Sequence, residues 1–211
     1  MDEKKPPRKR DAEVTKAKIM RAAQTEFAAK GFDGARVDAI AELADVNKLM
    51  LYHYFGNKDE LFGTVLEAVF SDFRVHEARL ALDHLPADEA ILELVEFTWR
   101  YYLKNPDFIR LLSNENLLEA RHLKQSPNIG HINTHHHKCM AELVRRGIEE
   151  GTVRADIEPK RINICIAALG FFYLINRHSL SVTYACNTTS PKELKEHLAV
   201  MKDIIARWIR P

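Results

Sequence analysis

Only three cysteines occur among the 211 residues. Cys139, Cys165 and Cys186 are odd in number and show no CxxC spacing, which argues against a disulfide framework and for buried thiols in a reducing compartment. Long apolar runs are also missing: the longest, Ile164 to Ile175, is too short to span a bilayer, so no membrane partner is expected. The N-terminus is charged and has no apolar stretch of the secretory kind, so a cytoplasmic location is expected. An excess of one charge is lacking, since 31 Lys and Arg face 30 Asp and Glu for a net +1. Overall electrostatics therefore say nothing for or against nucleic acid, and any such claim must rest on local residues. There is no strand-type alternation bounded by hairpin turns and no internal repeat. Nor is there a Gly-rich phosphate loop or a recognisable nucleophile–base pair, so neither an enzyme nor a cofactor is expected.

What is present is ample apolar content, 46%, and helical periodicity. The most informative stretch runs from Val37 to Leu61. Val37, Ile40, Ala41 and Ala44 fall at i, i+3, i+4 and i+7, one buried stripe of a short helix, and Val46 and Leu51 continue the apolar face beyond Asp45. Lys48, Leu49 and Met50 are left outward at the start of a second helix. That is the layout of a helix-turn-helix, whose second helix offers its N-terminal residues to the major groove. Two adjacent large apolar side chains at an exposed helix start suit contact with thymine methyls. Tyr52, His53, Tyr54 and Lys58 supply donors for phosphate oxygens, although Tyr52 also suits a half-buried packing role and a lone surface lysine is usually just solvated.

These residues resemble the DNA-binding domain of the tetracycline-repressor (TetR) family of bacterial transcription factors. The match takes in Ile19, Ala22, Ala23, Phe27, Gly31 and Phe32, the stripe from Val37 to Val46, and the blocks Leu51 to Phe55 and Asn57 to Leu61. It departs at Ala35 and Arg36, where the family has Thr or Ser, at Asp45, where it has Gly, and at Asn47, where it has Ser or Thr. The first departure removes a hydroxyl cap from the first helix of the motif, leaving Arg36 or backbone groups to serve that end. The expected architecture is all-α: a basic tail over residues 1–10, a three-helix DNA-binding domain over 11–56, and a helical effector-binding and dimerisation domain over 57–211. Expected DNA contacts are Arg36, Asn47, Lys48, Leu49, Met50, Tyr52, His53, Tyr54 and Lys58. The tail, with Lys4, Lys5, Arg8, Lys9 and Arg10, suits either phosphate contact or plain solvation.

Beyond the motif, helix follows helix. Asn57 opens one reaching about Leu82; Asp88 is a candidate cap for the next, whose stripe is Ile91, Leu92, Val95, Thr98, Trp99 and Tyr102; a third spans Asp107 to about Leu123. Ser126 and Pro127 start a fourth that Gly151 ends, Pro159 starts a fifth reaching about Ser179, and Ser190 with Glu193 forms a capping box for the last. Leu194, Leu198, Met201, Ile205 and Trp208 make a seam for another helix, and Ile164 to Ile175 is apolar on every side. The resemblance implies a homodimer built from these two helices, matching an inverted-repeat operator in double-stranded DNA; the alternative is that they form a monomer's core. A small-molecule effector is implied for the second domain, and its candidate contacts are Trp99, Tyr102, Phe108, Asn116, Arg121, His122, Phe172, Asn176 and His178. Each of these taken singly is more often a core or surface residue. His131, His135 and Cys139 line one helix face, but they span about 12 Å, too far for a single ion to bind all three, so no metal is expected. The function expected is a ligand-responsive repressor; the alternatives are a helical adaptor or a small all-α enzyme.

Overall fold

The computed structural model describes residues 9–211, all in helices and their connections with no strand among them. The basic tail expected over residues 1–10 lies outside the described residues, except that the helix α1 (Lys9–Gly34) begins within it. The described chain continues through α2 (Val37–Leu43), α3 (Lys48–Phe55), α4 (Lys58–Glu77), α5 (Ala87–Lys104), α6 (Pro106–Leu117), α7 (Arg121–Gln125), α8 (Ile129–Glu150), α9 (Pro159–Ile175), α10 (Arg177–Thr183) and α11 (Pro191–Ile209). Two compact units divide it. One contains the chain up to Val69 and Arg110–Pro127, and the other Phe70–Ile109 and Asn128–Pro211.

The core of the first unit is discontinuous in sequence. Ile19 and Phe27 of α1, Ile40 of α2, Leu51 of α3, and Leu61 and Phe62 of α4 are buried together with Leu111 of α6. Phe27 meets Phe62 edge-on at 4.8 Å, and the His122 ring sits 4.8 Å from both Phe32 and Phe62. Near its end α1 breaks from helical geometry at Gly31, whose φ of 69° lies in the left-handed region open to glycine. There the Asn114 side chain approaches so closely that a Cβ on residue 31 would stand 2.6 Å from its Nδ2, while its Oδ1 accepts the Phe32 N–H at 2.7 Å.

The single helix expected from Asp107 to about Leu123 is two helices. Glu119 and Ala120 take φ of 56° and 58°, and the cause of the break is the Glu115 carboxylate. Completely buried, it turns back to accept the N–H groups of His122 (2.7 Å) and Leu123 (2.9 Å) through Oε1, and His122 Nδ1 (2.8 Å) through Oε2. It thus takes the place of the carbonyls that an unbroken helix would have supplied.

In the second unit α5 is the central helix, against which α8, α9 and α11 pack. Of its expected stripe, Ile91, Val95, Thr98, Trp99 and Tyr102 are buried, while Leu92, at the stripe's border, is half-buried. Asp88 is not its cap: the N-cap is Pro86, the Glu150 carboxylate takes the Ala87 N–H at 2.8 Å, and Asp88 is buried and accepts Arg210 Nε and Nη2 at 3.0 and 2.8 Å. Other boundaries shift. α4 ends at Glu77, where bonds from Arg79 to His76 and from Leu80 to Glu77 close a tighter turn. α8 starts after Asn128 rather than at Ser126, and α9 stops at Asn176, beyond which α10 departs at 68°. Half of the expected capping box is present: the Glu193 N–H donates to Ser190 Oγ at 3.2 Å, while the Ser190 N–H donates to the Asn187 carbonyl at 3.1 Å rather than to the Glu193 side chain; Gly151 ends α8 at φ 71°.

The seam expected on α11 is the unit's own core. Met201, Ile205 and Ile209 are fully buried and Leu194, Leu198 and Trp208 half-buried, because α11 lays that stripe against α5 and α9. The large apolar residues it leaves exposed are Val200 and Ile204, and α9, which packs against it, leaves Ile164 and Phe172 exposed. No single described helix is long and apolar enough to cross a membrane.

Candidate nucleic-acid interface and effector cavity

The recognition end of α3 is built by its own sequence. Asn47, at the N-cap with extended backbone, accepts the Leu49 N–H through Oδ1 at 2.9 Å, satisfying one of the helix's free donors. Buried Leu51 fixes which face turns inward, so Leu49 is 73% and Tyr52 42% exposed, with His53 exposed beside them. Met50, expected outward with Leu49, is half-buried, since α3 has one inward stripe and Met50 borders it. Lys48 is not free: its Nζ lies 2.6 Å from Asp38 Oδ1, joining the starts of α2 and α3. That hydrogen bond holds the Asp38 carboxyl below, and the Lys48 ammonium above, their ordinary pKa values. Arg36 makes no side-chain cap to α2, but its backbone N–H donates to Glu26 Oε1 at 3.2 Å.

Flanking groups are Tyr54, half-buried with Lys16 Nζ 5.7 Å from its ring, and Lys58, whose Nζ lies 4.7 Å from the Phe32 ring and donates to the Asp33 carbonyl at 3.4 Å. Sequence reasoning missed three residues here: Asp38, the partner of Lys48, and Lys18 and Arg21 of α1, which line a cleft with Leu43 and Asp45. The signal for the last two was their i, i+3 spacing on one face of α1.

The nine residues expected to bind an effector do not form one site. Trp99 is buried against Tyr173 and His197, with ring centroids 5.8 and 5.0 Å away. Phe108 is buried and stacks on Tyr102 at 5.6 Å. Asn116 is exposed on α6 and donates to the Leu112 carbonyl; Arg121 pairs with Asp59 at 2.7 Å; and His122 is tied to Glu115, all within the first unit. Phe172 is 62% exposed, Asn176 caps the end of α9 with its Nδ2 on the Phe172 carbonyl, and His178 is exposed. Residue type alone could not say which helix faces turn inward.

Of the nine, Tyr102 does line a cavity, of about 50 Å³, in the second unit. Its apolar wall includes Phe73, Leu94, Met140 and Ile166, and its polar lining is Thr98, Asn163 and the charged or titratable group of Arg74, Glu77 and His136. Arg74 Nη1 donates to Glu77 Oε1 and Oε2 at 3.0 and 2.9 Å, and Arg74 Nε donates to Asn133 Oδ1 at 3.0 Å. His136 Nδ1 lies 2.9 Å from Glu77 Oε2. Burial alone would push the Glu77 carboxyl up, but the His136 hydrogen bond and the charge of Arg74 outweigh it and hold the group below the ordinary glutamate value. The Tyr102 phenol is pushed up to about 12, chiefly by burial. No group of three His, Cys, Asp or Glu side chains able to hold a metal occurs among the described residues.

Two family models match this chain: "Bacterial regulatory proteins, tetR family" over residues 19–65 and "Tetracyclin repressor-like, C-terminal domain" over residues 88–205. The HTH-type transcriptional repressor NicS of Pseudomonas putida is 34% identical over 203 residues, covering 96% of each chain. The chain belongs to the TetR family. The HTH-type transcriptional repressor SCO4008 of Streptomyces coelicolor is 35% identical over 145 residues, 68% of this chain and 70% of that one. Among solved structures, the transcriptional regulator FadR of Bacillus subtilis, crystallised with stearoyl-CoA, superposes with a TM-score of 0.68 over 92% of this chain and 100% of its own, at 17% identity. As a TetR-family protein the chain is a DNA-binding transcriptional regulator. Its departures from the family motif now have locations. Asp45 adopts φ 53° where glycine would do so without strain, and Asn47 performs the capping for which the family uses Ser or Thr.

Proposed function

We propose that this TetR-family regulator is a homodimeric repressor, which places α3 of each copy in successive major grooves of an inverted-repeat operator and leaves when a small molecule fills the cavity around Tyr102 and Arg74. The observation that carries the DNA reading is the exposed, capped start of α3, where Leu49, Tyr52 and His53 face solvent. In this reading Arg36, Asn47, Lys48, Leu49 and Met50 face bases, while Tyr52, His53, Tyr54 and Lys58 hold phosphates. The dimer reading is supported by Ile164, Phe172, Val200 and Ile204, large apolar side chains exposed on two helices that pack together. A second copy supplies the cover and brings two recognition helices about 34 Å apart, one turn of duplex. The effector reading is supported by the polar cluster beside an apolar wall. Arg74 and Glu77 belong to α4, which begins at Lys58 immediately after the DNA-binding motif, so a ligand that moves them pulls on that helix.

Selection of bound duplexes from random DNA tests the proposal. An inverted repeat with half-sites about one helical turn apart is the expected product; recovery of no duplex at low salt would overturn it in favour of a helical adaptor. Sedimentation of the free and operator-bound protein tests the assembly, and a monomer in both states would refute the dimer.

A further inference from the structure

Glu77 stands where two hollows meet. With Leu94, His136 and Met140 it lines both the 50 Å³ cavity and an outer cleft of about 400 Å³ that also includes Lys138 and Cys139. Its side chain is only 10% exposed, yet it is the last residue of α4, where the backbone gives way to a turn. The donors it satisfies are held independently of it. Arg74 is fixed from its other edge by Asn133, whose Nδ2 is anchored on the Ile129 carbonyl at 2.9 Å, and its guanidinium lies 4.8 Å from the Phe73 ring. His136 is carried by α8 and is 12% exposed. Two donors therefore converge on one carboxylate from separately secured positions, and that carboxylate comes from the end of a helix.

We propose that Glu77 is an internal stand-in for a ligand's acid group: the cavity takes a small organic monocarboxylate, which displaces the Glu77 side chain toward the outer cleft and seats its own carboxylate on Arg74 and His136. The proposal rests on the reading of this cavity as the effector site. The exchange is balanced in charge, because one carboxylate replaces another and neither buried donor is left unpaired. A neutral molecule in the same place would strand Arg74, and a cation would be repelled by it. The displaced Glu77 moves toward water and Lys138. Volume requires the displacement, since 50 Å³ is far short of the roughly 300 Å³ of an ordinary small-molecule site, and vacating Glu77 joins it to the outer 400 Å³. The ligand's apolar body then lies against Phe73, Tyr102 and Met140, and its burial favours entry.

Calorimetry on the full chain with hexanoate and benzoate, and with hexanamide and benzamide as neutral matches, tests this. At least one acid should bind wild type about tenfold or more tighter than its amide, as charge-assisted hydrogen bonds require. Glu77→Ala, which removes the internal competitor, should bind that acid tighter still, and Arg74→Gln should abolish the preference for acid over amide. Amides binding as well as acids, no acid binding at millimolar concentration, or Glu77→Ala binding the acid no better than wild type would each overturn the proposal. Should Glu77→Ala melt early, added acetate should raise its melting temperature and that of Glu77→Gln more than that of wild type, while acetamide should not. Failure of acetate to restore either variant counts against the carboxylate seat. Operator binding followed in parallel separates the two readings. Acids that bind without releasing DNA sink the effector role and leave the seat standing, whereas a neutral molecule that fills the cavity and releases DNA does the reverse.

Discussion

Replacing Glu115 by Ala removes the acceptor for three donors at once: the backbone N–H groups of His122 and Leu123 and the imidazole Nδ1 of His122. His122 is 3% exposed and enclosed by Phe32 and Phe62, so water does not readily take over. A buried donor left unsatisfied costs about 1–3 kcal/mol, and with two to three affected, the loss should be about 3–5 kcal/mol. That is a large part of the roughly 5–15 kcal/mol that separates a folded domain from its unfolded chain. Glu115→Gln keeps an amide oxygen for both N–H groups. Its NH2 can donate to Nδ1 if the imidazole proton moves to Nε2, where Asp59 Oδ1 lies 3.4 Å away, at the loss of the bond that Nε2 accepts from Arg121 Nη2 at 3.3 Å. This variant should lose less than about 1.5 kcal/mol, the ordinary net worth of one hydrogen bond. Urea titration of the three proteins provides the comparison. Equal losses in the Ala and Gln variants would show that the carboxylate charge, and not acceptance of the backbone donors, holds the turn between α6 and α7, and the reasoning would fail.

Asp38→Asn should release Lys48 for base contact and tighten binding of the operator more than that of a random duplex, whereas Lys48→Ala should weaken the operator complex by about 1–3 kcal/mol and relax preference at one position; titrations against both duplexes check this, and an unchanged operator preference in both variants would refute the competition. Asp45→Gly should stabilise the protein by about 0.5 kcal/mol, since the backbone sits in the left-handed region, and a lower melting temperature would contradict it. Because the Glu77 carboxyl is held below its ordinary value of 4.5, its contribution to stability is complete above that pH and fades as the pH falls through the lower folded-state pKa; the stability gap between wild type and Glu77→Gln should therefore narrow in acid, and a gap that widens would reverse the assignment. Ile204→Glu should yield monomers with the helical content of wild type by sedimentation and circular dichroism, and an undisturbed dimer would place the interface elsewhere.

The helix-turn-helix was legible because its information is local. Val37, Ile40, Ala41 and Ala44 repeat at helical spacing, Asn47 caps the helix it precedes, and burial of Leu51 dictates what Leu49 and Tyr52 expose. The same held for the Ser190 side-chain cap of α11 and the stop at Gly151. What was not legible depends on distant partners. Nothing around Ala120 announces a break, since the agent is a buried carboxylate five residues back whose partner His122 packs on Phe32 of α1 and Phe62 of α4. Asp88 has the sequence position of a cap, yet Arg210 claims it from the far end of the chain. The cavity lay partly outside the expected set for a related reason. Tyr102 was named from its aromatic ring, but Arg74, Glu77 and His136 look like ordinary surface charges until two helices bring them together. On α11, periodicity identified a buried stripe correctly but could not say whether its cover was the same chain or another.

The tie between Asn114 and the Gly31–Phe32 corner bears on how regulators of this kind can be recombined. A chimera that joins this head to a foreign body after Val69 would carry away Phe32 and Phe62 but leave behind His122, which packs on both rings, with the Glu115 that holds it and the buried Leu111. The transplanted head would then present aromatic rings to residues chosen for another partner. A working graft must move Arg110–Pro127 along with the N-terminal helices, as a second inserted segment, or else replace positions 31 and 114 as a matched pair. The portable unit for swapping operator preference is thus two stretches of sequence that fold as one body.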